Sequence, residues 1–152
     1  MSKLIKRITA IAAAAMMATT MAVSASAEYD CTLQHSDAPS TLDNKSVYGI
    51  LAAGEKDKTL YGVKIPHNIF AGTFYKGDID RIYVSLDIVS YPEGELLSRS
   101  GRTQPSQYFD GLWGVGVGTI KDFGRVSLFS AHEVYTAKGS AWGEYTALVD
   151  VR

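Results

Sequence analysis

Hydrophobic and polar residues alternate over short stretches of this chain, a pattern typical of strands with one buried face. The clearest stretch is 82–91, where aliphatic residues at every second position from Ile82 to Ile88 share one phase and mainly polar residues take the other. Residues 59–65 and 145–151 alternate in the same way, and 69–75 is rich in β-branched and aromatic residues. The pattern predicts a mainly antiparallel β protein.

Turn-forming residues separate these stretches. Pro92-Glu-Gly94 predicts a turn, after which 95–100 returns as the hairpin partner of the long strand. Such spacing favours a single-domain antiparallel β-sandwich, or a small barrel, of about seven or eight short strands. Residues 46–53 stay open between strand and helix, because Ser40-x-x-Asp43 can begin a helix and Gly54 can end one.

The first 27 residues have the order of a secretory signal peptide. Lys3, Lys6 and Arg7 precede an uncharged, Ala- and Met-rich run, and Ala25-Ser-Ala27 offers small residues to a signal peptidase. An uncleaved N-terminal membrane anchor is the alternative. The sequence thus predicts a signal peptide over 1–27, a flexible mature N-terminal segment over 28–45 and a β-sandwich domain over 46–152. We expect a secreted protein, extracellular or periplasmic, whose mature chain has no stable membrane insertion.

Charge and cysteine content limit the classes of partner. Three of the 15 basic side chains and none of the 16 acidic ones fall in 1–27, so the remainder has four more acidic than basic groups. This balance argues against nucleic-acid binding. Cys31 is the single cysteine and cannot close an intrachain disulfide, so it is either an incidental thiol or the link of a disulfide-bonded dimer.

Two segments depart from simple alternation. In Trp113-Gly-Val-Gly-Val-Gly-Thr119 the glycines leave one strand face bare, so an aromatic ring of a neighbouring strand, or else a ligand, is expected to lie across it. In the strand-like segment 126–135, His132 falls at the same alternate positions as the aliphatic residues. A buried histidine or a bulge near Ser130 explains this, and a general base of a small hydrolase is the alternative.

The sequence shows no pattern that is typical of a metal or cofactor site. His35, His67 and His132 are far apart in sequence and form no ligand pair, so no metal site and no cofactor are predicted.

The remaining signal is aromatic. Tyr108, Phe109 and Trp113 surround a turn at Asp110, and Trp142 precedes the last strand. Such rings combine a large contact area with a polar tip, which suits sugar rings and protein partners. We therefore predict a binding module for an extracellular glycan of the cell envelope or for a protein surface, and treat an enzyme as the less favoured reading. A bacteriocin-like or toxin-like effector acting on other cells is the alternative, followed by the hydrolase that uses His132.

Overall fold

The protein is built from β-strands, as the alternation predicts. A computed structural model describes residues 34–54, 58–65 and 68–151, so the predicted signal peptide and Cys31 lie outside the described residues. Within them the chain forms eleven strands and no helix: β1 Gln34–Leu42, β2 Lys45–Gly54, β3 Lys58–Leu60, β4 Val63–Ile65, β5 Asn68–Tyr75, β6 Ile79–Ser90, β7 Leu96–Arg102, β8 Ser106–Phe109, β9 Leu112–Thr119, β10 Val126–Thr136 and β11 Ala141–Val151. The expected number of seven or eight was too low: residues 59–65, expected to form one alternating strand, instead form the β3–β4 hairpin with a turn at Tyr61 and Gly62, and β8 is short. No part of the described chain is a helix that is long and apolar enough to cross a bilayer.

The strands form three antiparallel sheets. A five-stranded sheet has the order β1-β2-β5-β9-β8, a four-stranded sheet has the order β11-β10-β6-β7, and β3 and β4 form a separate hairpin. Each sheet keeps two edge strands in the described chain, so none is a closed barrel. The predicted hairpin is present as β6 and β7, which pair from Val84 opposite Arg102 to Val89 opposite Leu96.

The main core lies between the two larger sheets. Its buried side chains come from β2, β5 and β9 on one side and from β6, β10 and β11 on the other. The predicted inner face of β6, from Ile82 to Ile88, is part of this core. The opposite face was expected to be solvated, but Tyr83 is also buried there and packs with Phe129 and Ala131. Central strand β6 therefore has two covered faces rather than one.

A second core lies on the outer face of the five-stranded sheet. Ile50, Phe70 and Phe74 of this face pack against Val63 and Ile65 of the β3–β4 hairpin. Because both faces of β2 are covered, its sequence lost the alternation that would have distinguished a strand from a helix. The open reading of residues 46–53 is thereby settled as strand.

Strand β1 covers residues 34–42, which is part of the segment 28–45 that was expected to be flexible. Residues Gln34 to Leu42 pair with β2 along the whole strand. Pro39 is tolerated because β1 is an edge strand, where a missing N–H need not face a partner. Few residues of β1 are hydrophobic, so its conformation is set by the ladder with β2 and not by its own pattern.

Candidate binding surface

The bare glycine strip of β9 is covered by rings of the protein itself. A Cβ atom at Gly114 would lie 2.3 Å from Phe74, and one at Gly116 would lie 2.6 Å from Phe70. Real Cβ atoms do not approach other atoms so closely, so only glycine fits beneath these rings. The prediction that a neighbouring aromatic ring lies across the strip is confirmed.

Three exposed rings lie around this covered strip. Tyr61, Tyr108 and Phe109 keep 40%, 41% and 41% of their surface in solvent. Tyr108 meets the buried ring of Phe74 edge-on with centroids 5.0 Å apart, and the ring of Phe109 lies against Gly62 beside Tyr61. We call Tyr61, Tyr108 and Phe109 the aromatic platform.

Tyr61 is held on the platform from two sides. Its ring stacks on Tyr48 with centroids 4.5 Å apart and planes 13° from parallel, and its hydroxyl donates a hydrogen bond to the carboxylate of Asp37. This hydrogen bond, followed by desolvation, raises the pKa of Tyr61 to about 12. The hydroxyl therefore stays protonated at any physiological pH and remains a donor.

The backbone at Tyr61 is strained. Tyr61 and Gly62 form the turn between β3 and β4 with φ of 50° and 79°, both in the left-handed region. Asn or Gly normally fills the first of these positions, because a bulky residue costs free energy there. Strain of this kind is concentrated at functional sites in other proteins.

Tyr108 and Phe109 lie together, as the sequence predicted, but Trp113 lies apart from them. Tyr108 contacts the outer face of the five-stranded sheet, whereas Trp113 is opposite Tyr75 in the ladder, and Tyr75 belongs to the core between the sheets. Trp142 lies on β11 opposite Val134 and packs partly buried against the same core. The four predicted site residues therefore belong to three places. Sequence reasoning missed Tyr61, whose only signal was an aromatic residue where a two-residue hairpin turn favours Asn.

Trp113 lines a separate cleft of about 290 Å³, where four turns meet at one end of the two large sheets. Lys45, Lys76 and Lys138 reach this cleft from three of these turns, and Tyr75 lies beside Trp113. We call it the end cleft.

His132 lies in the core between the large sheets, with none of its surface exposed. Its Nδ1 is 2.9 Å from the Thr73 hydroxyl of the facing sheet, and its Nε2 is 2.8 Å from the Thr146 hydroxyl. Thr73 donates its own proton to the carbonyl of Tyr83 at 2.8 Å, so its oxygen accepts the proton of Nδ1. Nε2 is then the acceptor for the Thr146 hydroxyl, and the ring is the neutral Nδ1–H tautomer.

The surroundings of His132 keep it uncharged. Desolvation lowers its pKa to about 3, and the nearby backbone of Gly72 opposes this only in part. A general base has to reach a proton of its substrate, and both nitrogens of this buried ring are already engaged. The geometry therefore gives no support to the hydrolase hypothesis.

The bulge considered near Ser130 is not present in the pairing of β10 with β6. Phe129 lies opposite Asp87 and His132 opposite Val84, so the register is the same on both sides of Ser130. Between these pairs the Ser130 hydroxyl donates to the carbonyl of Ser85, and the Ser85 hydroxyl accepts from the N–H of Ala131 at 3.1 Å. Serine side chains thus satisfy the backbone here, and the inward phase of His132 follows from plain alternation.

Among the described residues, no group of three or more His, Cys, Asp or Glu side chains is placed to hold a metal ion. The chain matches no protein-family model, and comparisons with curated proteins and with solved structures give no match either.

Proposed function

We propose that the protein is a secreted β-sandwich module that binds a glycan of the cell envelope through the aromatic platform. The observation that carries the proposal is the grouping of Tyr61, Tyr108 and Phe109, each about two-fifths exposed, on one supported surface. Flat aromatic faces fit the apolar faces of sugar rings, and the two tyrosine hydroxyls add polar tips.

The size of the platform favours a sugar over a protein partner. A large aromatic side chain has roughly 200 Å² of surface, so three rings at about 40% exposure present about 250 Å². A stable protein interface buries about 800 Å² on each partner. Two or three sugar units match the smaller area.

Rigidity supports the same ligand class. Tyr61 is fixed by Tyr48 and Asp37, and Tyr108 is fixed by Phe74. Rings that are already ordered lose little conformational entropy when a ligand binds, which matters for a small ligand with few contacts. The left-handed backbone at Tyr61 is explained if the turn has to present a ring at this point.

The proposal is tested by measuring binding of the purified protein to a panel of insoluble cell-wall polysaccharides by sedimentation. We expect Tyr108→Ala and Phe109→Ala each to weaken binding about tenfold, since a lost ring contact is worth roughly 1–1.5 kcal/mol. Tyr145→Ala is the matched control, because Tyr145 is 42% exposed but lies on β11 of the other sheet.

Two results would overturn the proposal. One is the absence of binding to every glycan in the panel by protein whose fold is verified by circular dichroism. The other is equal loss of binding in Tyr145→Ala and in the platform variants. The effector alternative stays a prediction, tested by growth of a strain panel exposed to the protein.

A further inference from the structure

The end cleft is lined by three lysines and two carboxylates, so positive charge is in excess there. Lys45 follows the β1–β2 turn, Lys76 lies in the β5–β6 turn and Lys138 lies in the β10–β11 turn. None of the three ammonium groups forms an ion pair with a carboxylate within the described part of the chain. Three separate turns therefore present cations to one cleft without a direct ion pair, although Lys138 lies near enough to Asp43 to help lower the pKa of that carboxyl.

One of the two carboxylates of the end cleft, that of Asp43, is engaged in hydrogen bonds. Both oxygens of Asp43 accept hydrogen bonds from the β10–β11 segment, from Ser140 at 2.6 Å and from Thr136 at 3.0 Å. These bonds, led by the one from Ser140, lower the pKa of Asp43 and tie the β1–β2 turn to the β10–β11 turn. Asp78 is the other acid of the cleft, and its backbone carbonyl accepts from the N–H of Ala137 at 3.3 Å. The charged side chains of the cleft thus sum to one net positive charge in a protein that is otherwise acidic.

One aromatic ring adjoins the lysines. Trp113 lines the cleft and is partly exposed, whereas its neighbour Tyr75 is only 2% exposed, and the indole N–H of Trp113 has no hydrogen-bond partner among the described residues. The hydroxyl of Tyr75 donates to the carbonyl of Leu42 at 3.1 Å, which fixes that ring. The cleft therefore combines the partly exposed indole of Trp113, a free donor and cations, within a volume of about 290 Å³ that suits a single ring with its substituent.

We infer that the end cleft is a second binding site, which takes a sugar phosphate with the phosphate between the lysines and the sugar ring against Trp113. Lysine is a compact cation that suits phosphate oxygens, whereas paired recognition of a carboxylate is typical of arginine, and no arginine lines this cleft. The inference does not depend on the proposed function, because the end cleft and the aromatic platform lie on different faces of the five-stranded sheet.

The test is a titration of the purified protein with glucose 6-phosphate, followed by the fluorescence of Trp113 in a Trp142→Phe background. Amide shifts of Gly111 and Ala137 in the unsubstituted protein give a second reading that needs no tryptophan change. We expect saturable binding that weakens as salt rises, with weaker binding of glucose, inorganic phosphate and glucuronate.

Lysine variants connect the binding to the cleft. The combined variant Lys45→Gln, Lys76→Gln, Lys138→Gln is expected to lose affinity about tenfold or more, because three partly screened charge contacts are removed together. Lys121→Gln is the control, since Lys121 is exposed and lies over Phe123 outside the cleft. Saturable binding of glucose 6-phosphate that the lysine variant reduces and the control preserves would support the site.

Other outcomes would overturn it. Silence of both the fluorescence and the amide shifts would exclude the site, and so would unchanged affinity in the lysine variant. Equal binding of glucose would exclude the role of the phosphate, equal binding of inorganic phosphate would exclude the role of the ring, and equal binding of glucuronate would exclude selectivity for phosphate. None of these results bears on polysaccharide binding at the aromatic platform.

Discussion

The imidazole of His132 fills the space that a side chain at position 49 would need. A Cβ atom at Gly49 would lie 2.6 Å from two ring carbons of His132. Gly49 belongs to β2 of the five-stranded sheet and His132 to β10 of the four-stranded sheet, so the contact joins the two sheets through the core. The absent side chain on one sheet makes room for a polar ring on the other.

We predict that Gly49→Ala destabilises the protein by about 1–3 kcal/mol, which is the usual cost of overpacking a dense core. The added methyl group has to displace a ring that Thr73 and Thr146 hold in place. Urea unfolding followed by circular dichroism measures the change, with the midpoint falling and the slope unchanged.

A double-mutant cycle assigns this cost to the ring. In a His132→Ala background, where the ring is gone, Gly49→Ala should cost little or even stabilise by filling space. A penalty of the same size in both backgrounds would show that the backbone at position 49, and not His132, opposes the methyl group.

Acid should destabilise the protein through His132. The folded pKa is about 3 and the ordinary pKa is 6.5, so below pH 6.5 the unfolded chain binds a proton that the folded protein does not. Titration of His132 therefore leaves the free energy of unfolding unchanged above pH 6.5 and lowers it as pH falls toward 3, by up to about 1.4 kcal/mol per pH unit. Urea unfolding at pH 7, 6, 5 and 4 measures this slope.

His132→Gln separates this effect from the titration of carboxylates. Glutamine retains a donor and an acceptor for the threonine hydroxyls but takes up no proton. The difference in unfolding free energy between the original protein and the variant should therefore shrink as pH falls from 6.5. A difference that stays constant with pH would contradict a neutral buried imidazole.

The strand at 82–88 and its hairpin could be predicted because alternation and turn residues agreed there. Two other strands show why the rest could not. Strand β2 is covered on both faces, so the period that marks a strand is absent from its sequence. Strand β1 has few hydrophobic residues and is ordered by pairing with β2, a tertiary contact that no local pattern reports.

The candidate site was predictable only in part, for a related reason. Composition drew attention to Tyr108 and Phe109, and both lie on the platform. Trp113 follows them closely in sequence, yet it belongs to the opposite face of the sheet, because it pairs with Gln107, whereas Phe109 pairs with Leu112 beyond a register shift. Tyr61 joins the platform through the packing of the β3–β4 hairpin, which depends on contacts remote in sequence.

Gly114→Ala is predicted to destabilise the protein by about 1–3 kcal/mol and to disturb the aromatic platform. The new Cβ would lie 2.3 Å from Phe74 and 2.9 Å from Tyr108, so both rings have to move. Thermal unfolding measures the first effect, and polysaccharide sedimentation the second.

Two variants make the Gly114 experiment specific. Phe74→Leu in the same chain should remove part of the steric penalty, so that the two substitutions together cost less than their sum. Gly101→Ala is the milder comparison, because its Cβ would meet the Tyr83 hydroxyl at 3.1 Å. A larger loss in Gly101→Ala than in Gly114→Ala would contradict the ring-covered strip.

Arg99→Lys is predicted to destabilise the β6–β7 pairing by about 1–2 kcal/mol. Arg99 lies opposite Asp87 in the ladder, and its Nε and one terminal nitrogen donate to the two carboxylate oxygens, each at 2.8 Å. Lysine offers a point charge and cannot reproduce the paired geometry. The arginine is half exposed, so the loss should stay below the roughly 3–5 kcal/mol of a fully buried pair.

The comparison with Arg99→Leu and Arg102→Lys distinguishes geometry from charge. Asp87 is only 4% exposed, so leucine at position 99 would leave a buried carboxylate without its partner and should cost more than lysine. Arg102 is exposed on the same strand opposite Val84, and lysine there should change the unfolding free energy by less than about 0.5 kcal/mol. Equal losses of unfolding free energy for Arg99→Lys and Arg102→Lys in urea unfolding would mean that the bidentate contact adds nothing. A lower stability of Arg99→Leu than of Arg99→Lys would then have no electrostatic cause.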